Sequence, residues 1–256
     1  GRKNSQQRID HGGQWRNEQE WPLARSVNTP FYLQPKGGLA AERPQGPNPP
    51  DEYLFDPERP VPTIGGNISS GQPVMAAGGF DQRESEEFFG AEQIFLPLGT
   101  RPDVLVFQTT PLEEDVEVTG PVTVQLWISS SAVDTDFTAK LIDVYPPSAD
   151  YVEGYALNLT DGILRVKFRN SWERTELMTP GEVYNVEVGL LPISNRFLKG
   201  HRIRLDISSS NFPRFDVNGN TGENPGTSPV RITALNSVYH DENRASHVLL
   251  PVVPNP

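Results

Sequence analysis

Apolar and polar residues alternate with a period of two over much of the second half of the chain. PVTVQLWIS (121–129) sets Val122, Val124, Leu126 and Ile128 on one face. In the next run Phe137, Ala139 and Leu141 alternate with Thr138, Lys140 and Ile142. ILRVKFR (163–169) reads with Leu164, Val166 and Phe168 inward and Arg165, Lys167 and Arg169 outward. YNVEV gives Tyr184, Val186 and Val188, and HRIRLDIS sets Ile203, Leu205 and Ile207 against Arg202, Arg204 and Asp206. SHVLLPVV (246–253) closes the series. A period of two marks a strand with one buried face. Turn signals separate the runs: TG at 119–120, YPPSAD at 145–150, DG at 161–162, TPG at 179–181 and KG at 199–200. No helix-length pattern lies between successive strands, so these are not βαβ units. An antiparallel all-β fold follows, a sandwich or jelly roll.

The first half reads differently. Residues 1–50 are polar and turn-rich, and RPQGPNPP (43–50) excludes helix and central strand. DEYLFDPERPVPTIGG (51–66) is an extended segment broken by prolines. Residues 65–102 read as a long loop, with a helical turn in RESEEFFGAEQIF. The expected division is an N-terminal arm (1–50) packed on a sandwich domain (51–256).

Composition narrows the function classes. The chain has 256 residues, with 25 Pro, 22 Gly and no Cys. A net charge of -11 repels phosphate backbones, so no nucleic-acid partner is expected. No apolar run approaches the roughly 20 residues of a membrane-spanning helix, and no signal peptide is visible. No membrane partner is expected, and the compartment stays open. Gly1 reads as a cloning remnant, and the chain as part of a longer polypeptide.

Nothing in the sequence presents an exposed nucleophile. No G-x-S-x-G elbow occurs; GNISSG (66–71) comes nearest, with the wrong spacing. Of the four histidines, His201 reads as a surface or edge residue and His247 as a satisfied core histidine. His240, Asp241 and Glu242 read as a solvated turn, and His11 lies in the arm. Asp216, Asn218 and Asn220 alternate as in a calcium loop, but Gly219 and Thr227 stand where that loop needs other residues. An Asn/Gly-rich turn is expected instead. Asp134 and Asp136 in SSSAVDTDF share one face of a strand; they suit either a hard cation or the capping of nearby backbone N–H groups. Trp15 and Trp21 are expected to pack on the sandwich. Trp127 and Trp172 keep carbohydrate binding open as an alternative. Asn67-Ile-Ser69 and Asn158-Leu-Thr160 are glycosylation sequons.

SSSAVDTDFTAKLIDVYP (129–146), DGILRVKFR (161–169), PGEVYNVEV (180–188), NRFLKGHRIRLDISSSNFPRFDVNGNTG (195–222) and ASHVLLPVV (245–253) resemble a known C-terminal domain. It is that of the X-Pro dipeptidyl-peptidase and cocaine-esterase-like (alpha-amino acid ester hydrolase) serine hydrolases. QWRNEQEWP (14–22), TPFYL (29–33), YLFDPERPVPTIGG (53–66), GFDQRE (79–84) and DVLVFQTTPLEEDVEVTGPV (103–122) match in the same order. The resemblance implies an antiparallel β-sandwich (jelly roll, galactose-binding-domain-like) with a long Pro/Gly-rich N-terminal arm. It implies a non-catalytic partner of an α/β-hydrolase catalytic domain in the same polypeptide, and possible homo-oligomers. The family's Ser-His-Asp triad precedes the WR…WP segment, so no catalytic residue, cofactor or metal is expected here. Family substrates include X-Pro peptides, amino acid esters, β-lactam amides and aryl esters. In the esterase-like members the loop after VPxxGG contributes to the acyl pocket. Here that loop spans 65–83, with Ser69, Ser70, Val74 and Met75 as candidate pocket-wall residues.

Overall fold

The computed structural model describes residues 2–3, 5, 9–10, 14–71, 74–224, 226–227 and 229–254. His11 lies outside them. Thirteen strands are assigned among these residues: β1 (Arg2–Lys3), β2 (Ile9–Asp10), β3 (Val27–Gln34), β4 (Gly38–Ala40), β5 (Asp51–Phe55), β6 (Leu105–Gln108), β7 (Val116–Ser130), β8 (Asp136–Tyr145), β9 (Tyr155–Arg165), β10 (Tyr184–Phe197), β11 (Arg202–Ser208), β12 (Ala234–Tyr239) and β13 (His247–Val253). β1 and β2 pair with each other. The other eleven form one continuous sheet in the order β5-β12-β7-β13-β3-β4-β6-β11-β8-β9, with β10 pairing β7. Every pairing is antiparallel except β4 with β6.

The sheet folds back on itself into a β-sandwich. One core takes Val122, Val124, Leu126 and Ile128 from β7, Phe137, Ala139 and Leu141 from β8, Val186 and Val188 from β10, and Ile203, Leu205 and Ile207 from β11. These are the faces that the period of two marks out. Each fully buried Val, Leu, Ile or Phe side chain contributes roughly 1.5–3 kcal/mol.

Several local expectations are overturned. TG at 119–120 is not a turn. It lies inside β7, where β10 shifts register between Leu190 and Ile193 and β13 between Leu249 and Val252. DG at 161–162 also lies within a strand, β9. A Cβ on Gly162 would stand 2.2 Å from the Gly189 carbonyl oxygen, so glycine there lets two backbones approach. RESEEFFGAEQIF forms bends and turns rather than a helical turn. β9 ends at Arg165, and a 3-10 turn (Val166–Phe168) follows. That turn rotates Lys167 inward, to 1% exposure, instead of outward. Ile142 is likewise buried.

Within residues 1–50, Val27–Gln34 and Gly38–Ala40 are strands of the sheet, between β13 and β6. Trp15 and Trp21 do not pack on the sandwich; they are 104% and 56% exposed.

Candidate functional site

Two constructions stand out: a loop projecting from a rigid root, and a buried polar network that closes the β7–β8 crossing. The loop leaves the body at Gly66 and returns at Gly78. Reciprocal backbone bonds join these two residues, at 2.8 and 2.7 Å. Further out the Met75 amide donates to the Gly71 carbonyl, at 3.0 Å. Ser69 Oγ donates to the Met75 carbonyl and accepts from the Gly71 amide, both at 3.0 Å. Ser69 and Met75, six residues apart, are thus brought together. Ser69 and Ser70 are exposed, as are Val74 and Ile68, while Met75 is buried beneath the loop.

The root is held from three sides. Gly65 has a φ of +67°, and a Cβ there would lie 2.4 Å from the Gly78 carbonyl oxygen. Gln82, fully buried, donates through Nε2 to the Ile64 and Phe80 carbonyls, at 3.0 and 3.1 Å. Its Oε1 accepts from Lys140 Nζ at 3.3 Å. The Arg214 amide donates to Thr63 Oγ1, at 3.2 Å, and the Arg214 guanidinium forms a short ion pair with Asp161. Asn211 Nδ2 donates to the second Asp161 oxygen, at 2.7 Å. Lys140 sits on the sheet face away from the main core, and burial pushes its pKa down. Sequence reading placed Lys140 on that face without indicating that a loop covers it.

The second construction answers the question raised by Asp134 and Asp136. Both carboxylates are buried, at 0% and 1% exposure. Asp134 accepts from the Lys167 backbone amide at 3.0 Å and from Asn218 Nδ2 at 3.1 Å. Asp136 takes a two-pronged bond from Arg165, both prongs at 2.9 Å, and a 2.7 Å bond from Asn218 Nδ2. Cationic side chains, a backbone amide and the Asn218 side chain therefore partner both carboxylates. Burial raises the pKa of both carboxyls, that of Asp136 to about 6. Asn218 Oδ1 accepts from the Asn220 amide, at 2.9 Å, so the Asn/Gly-rich turn is locked onto the aspartates. Among the described residues no group of three or more His, Cys, Asp or Glu side chains is placed to hold a metal.

The histidines correct the sequence reading in two places. His201 is buried, not at the surface; its Nδ1 lies 2.8 Å from Asp143 Oδ1 and its ring packs against Tyr145. His240 and Asp241 are buried too, not in a solvated turn: His240 Nε2 pairs with Asp51 at 3.0 Å, and Asp241 accepts from the Asn243 and Arg244 amides. His247 is half-buried, with Nδ1 3.0 Å from the Ala245 carbonyl. Of the two sequons, Asn67 is exposed on the loop, and Asn158 is buried in β9.

A chain with this sandwich and this glycine-rooted loop matches the family of the X-Pro dipeptidyl-peptidase C-terminal non-catalytic domain over residues 3–249. The chain belongs to that family. It is 39% identical over 252 residues to a cocaine esterase of Rhodococcus sp. (strain MB1 Bresler), covering 94% of this chain and 40% of the esterase. Among solved structures it is similar to an aminopeptidase of a marine sediment archaeon, Thaumarchaeota archaeon, with a TM-score of 0.79 and 26% identity over 95% of this chain and 39% of that one. It is also similar to an alpha-amino acid ester hydrolase, with a TM-score of 0.74 and 31% identity over 88% of this chain and 36% of that one. The chain thus spans about two fifths of the length of these relatives.

Proposed function

We propose that this chain serves an α/β-hydrolase catalytic domain in the same polypeptide, packing against it and lending the 66–78 loop to the wall of the substrate pocket. The parent protein is then a serine hydrolase acting on small peptides or esters. The observation that carries this reading is the loop itself. Its root is fixed by Gly65, Gln82 and Arg214, while Ile68, Ser69, Ser70 and Val74 are exposed. A rigid root with an exposed outer face that carries Ile68 and Val74 suits a surface that completes a cleft on another domain. Phe89, 49% exposed, packs on Phe212 with the ring planes inclined by 52°, beside the same root, and extends that surface. Met75 supports the wall from beneath.

Such a wall acts through substrate fit, and losing one apolar contact in a pocket changes binding by about 1–3 kcal/mol. The test compares the isolated chain with the full-length protein. The isolated chain is expected to turn over neither p-nitrophenyl acetate nor Ala-Pro-p-nitroanilide. In the full-length protein, Val74→Ala and Ile68→Ala are expected to change kcat/KM between acyl groups of different size, with the melting temperature unchanged. Identical kcat/KM values for all acyl groups would remove the loop from the pocket.

A further inference from the structure

On the side of the Asp136 network that faces solvent lies a cleft of about 300 Å³, lined by Ile163, Arg165, Phe168, Trp172, Phe215 and Asp216. That volume is at the small end of the range for small-molecule sites. Trp172 is 79% exposed and stacks on Phe168, with ring centroids 6.5 Å apart and planes inclined by 21°. Lys167 Nζ lies 5.7 Å from the Phe168 centroid. A near-parallel aromatic pair held beside a charged network, with one indole left open to water, is a platform rather than a core element.

The polar rim is as ordered as the platform. The Arg165 side chain is 15% exposed, and Asp136 holds its Nε and one terminal nitrogen. Its two terminal nitrogens each reach Asp216 Oδ2 at 3.2 Å. A guanidinium carries five N–H donors, so one hydrogen on its outer nitrogen is left over. Asp216, 60% exposed at its side chain, brings a carboxylate acceptor alongside. Asn218 and Asp134 brace Asp136 from behind, so the donor and acceptor are in place before anything binds.

We propose that this cleft is a binding subsite for a neutral saccharide ring. The C–H face of a pyranose lies on the indole of Trp172. Two neighbouring hydroxyls meet Asp216 as acceptor and Arg165 as donor. The ligand is neutral because the rim of Asp136, Asp216 and Arg165 carries a net negative charge, on a chain of net charge -11. Uronic acids and sugar phosphates are repelled. This site is independent of the pocket-wall loop.

The test titrates the 256-residue chain with neutral gluco-, galacto-, manno- and xylo-configured oligosaccharides, read by saturation-transfer NMR and tryptophan fluorescence. At least one series is expected to bind, with affinity falling about tenfold or more in Trp172→Ala and in Asp216→Ala. Both side chains are exposed, so the melting temperature stays unchanged. Trp15→Ala is the control and is expected to bind as the parent chain does. Four results would overturn the proposal: no neutral saccharide binding, binding that survives Trp172→Ala, aromatic amines binding in place of sugars, or binding by this chain that is lost in the full-length protein because the cleft is covered there.

Discussion

Lys167 Nζ lies 3.9 Å from Asp134 Oδ2, and neither side chain reaches solvent. The ammonium is also received by the carbonyls of Gly222 and Glu223, at 3.1 and 2.9 Å. Removing one partner of a buried pair strands the other, at a cost of about 3–5 kcal/mol. Lys167→Met is therefore expected to lower stability by about that much in urea unfolding. The double variant Lys167→Met/Asp134→Asn is expected to regain much of it. Additive losses in the double-mutant cycle would contradict a coupled pair.

Lys140 provides the contrast. It too is buried, but each neighbouring carboxylate already has a cation of its own. Asp161 has Arg214, and Asp206 is held by two Arg204 bonds at 2.6 and 2.7 Å. Lys140→Met strands no charge and leaves only the Gln82 Oε1 acceptor unpaired, so it is expected to cost about 1–3 kcal/mol, less than Lys167→Met. Equal destabilisation by the two lysine substitutions would refute the distinction.

Asp136 makes stability depend on pH in a definite direction. Burial lifts its pKa to about 6, against the pull of Arg165 and Asn218, while the unfolded value is about 3.9. The folded chain thus binds this proton more tightly. The resulting stability is fully present below about pH 4 and is lost as pH rises through about 6. Two pKa units correspond to about 3 kcal/mol. Arg165, Asp134, Asp216 and Lys167 are the charges around it. Asp136→Asn removes the titration, so wild-type stability minus variant stability is expected to fall by about that amount between pH 4 and 7. Parallel curves in chemical denaturation across that range would show the assignment to be wrong.

Gly65 fixes the loop root. With a φ of +67° and backbone 2.4 Å from a would-be Cβ, Gly65→Ala has nowhere to place its methyl group. Its cost is expected to exceed the roughly 1 kcal/mol of the positive φ alone. Hydrogen exchange is the readout. Protection of the Gly66 and Gly78 amides is expected to drop, and that of Val124 in the core to persist. A uniform loss across the chain would instead mean global unfolding.

The period of two identified Val122–Ile128, Phe137–Leu141 and Ile203–Ile207 correctly because one face of each strand meets the main core. It could not show that the opposite face of β8 is covered as well. Thr138 and Lys140 point away from that core and are buried all the same, under loops such as the one that carries Gln82. Alternation reports which residues share a face and is silent on what lies over the second face. His201 is a different case: it shares the inward face of Ile203 and Leu205, and what alternation could not show was the Asp143 carboxylate and Tyr145 ring that receive it there. β3 escaped notice for a different reason: Pro30 interrupts VNTPFYLQ, yet it stands opposite Leu249 inside the sheet. At the candidate site, the aspartate pair was visible in SSSAVDTDF, while Arg165, Lys167 and Asn218 arrive from elsewhere in the chain. Only tertiary structure turns a suspected cation site into a set of internal counter-charges.

The pairing of β3 with β13 reaches beyond the core. Val27 stands opposite Val252, so the chain enters and leaves the sandwich one strand spacing apart, about 5 Å. A unit whose two ends meet can be spliced into a surface loop of an unrelated host without stretching either protein. The sandwich is, in effect, a cassette with a single socket.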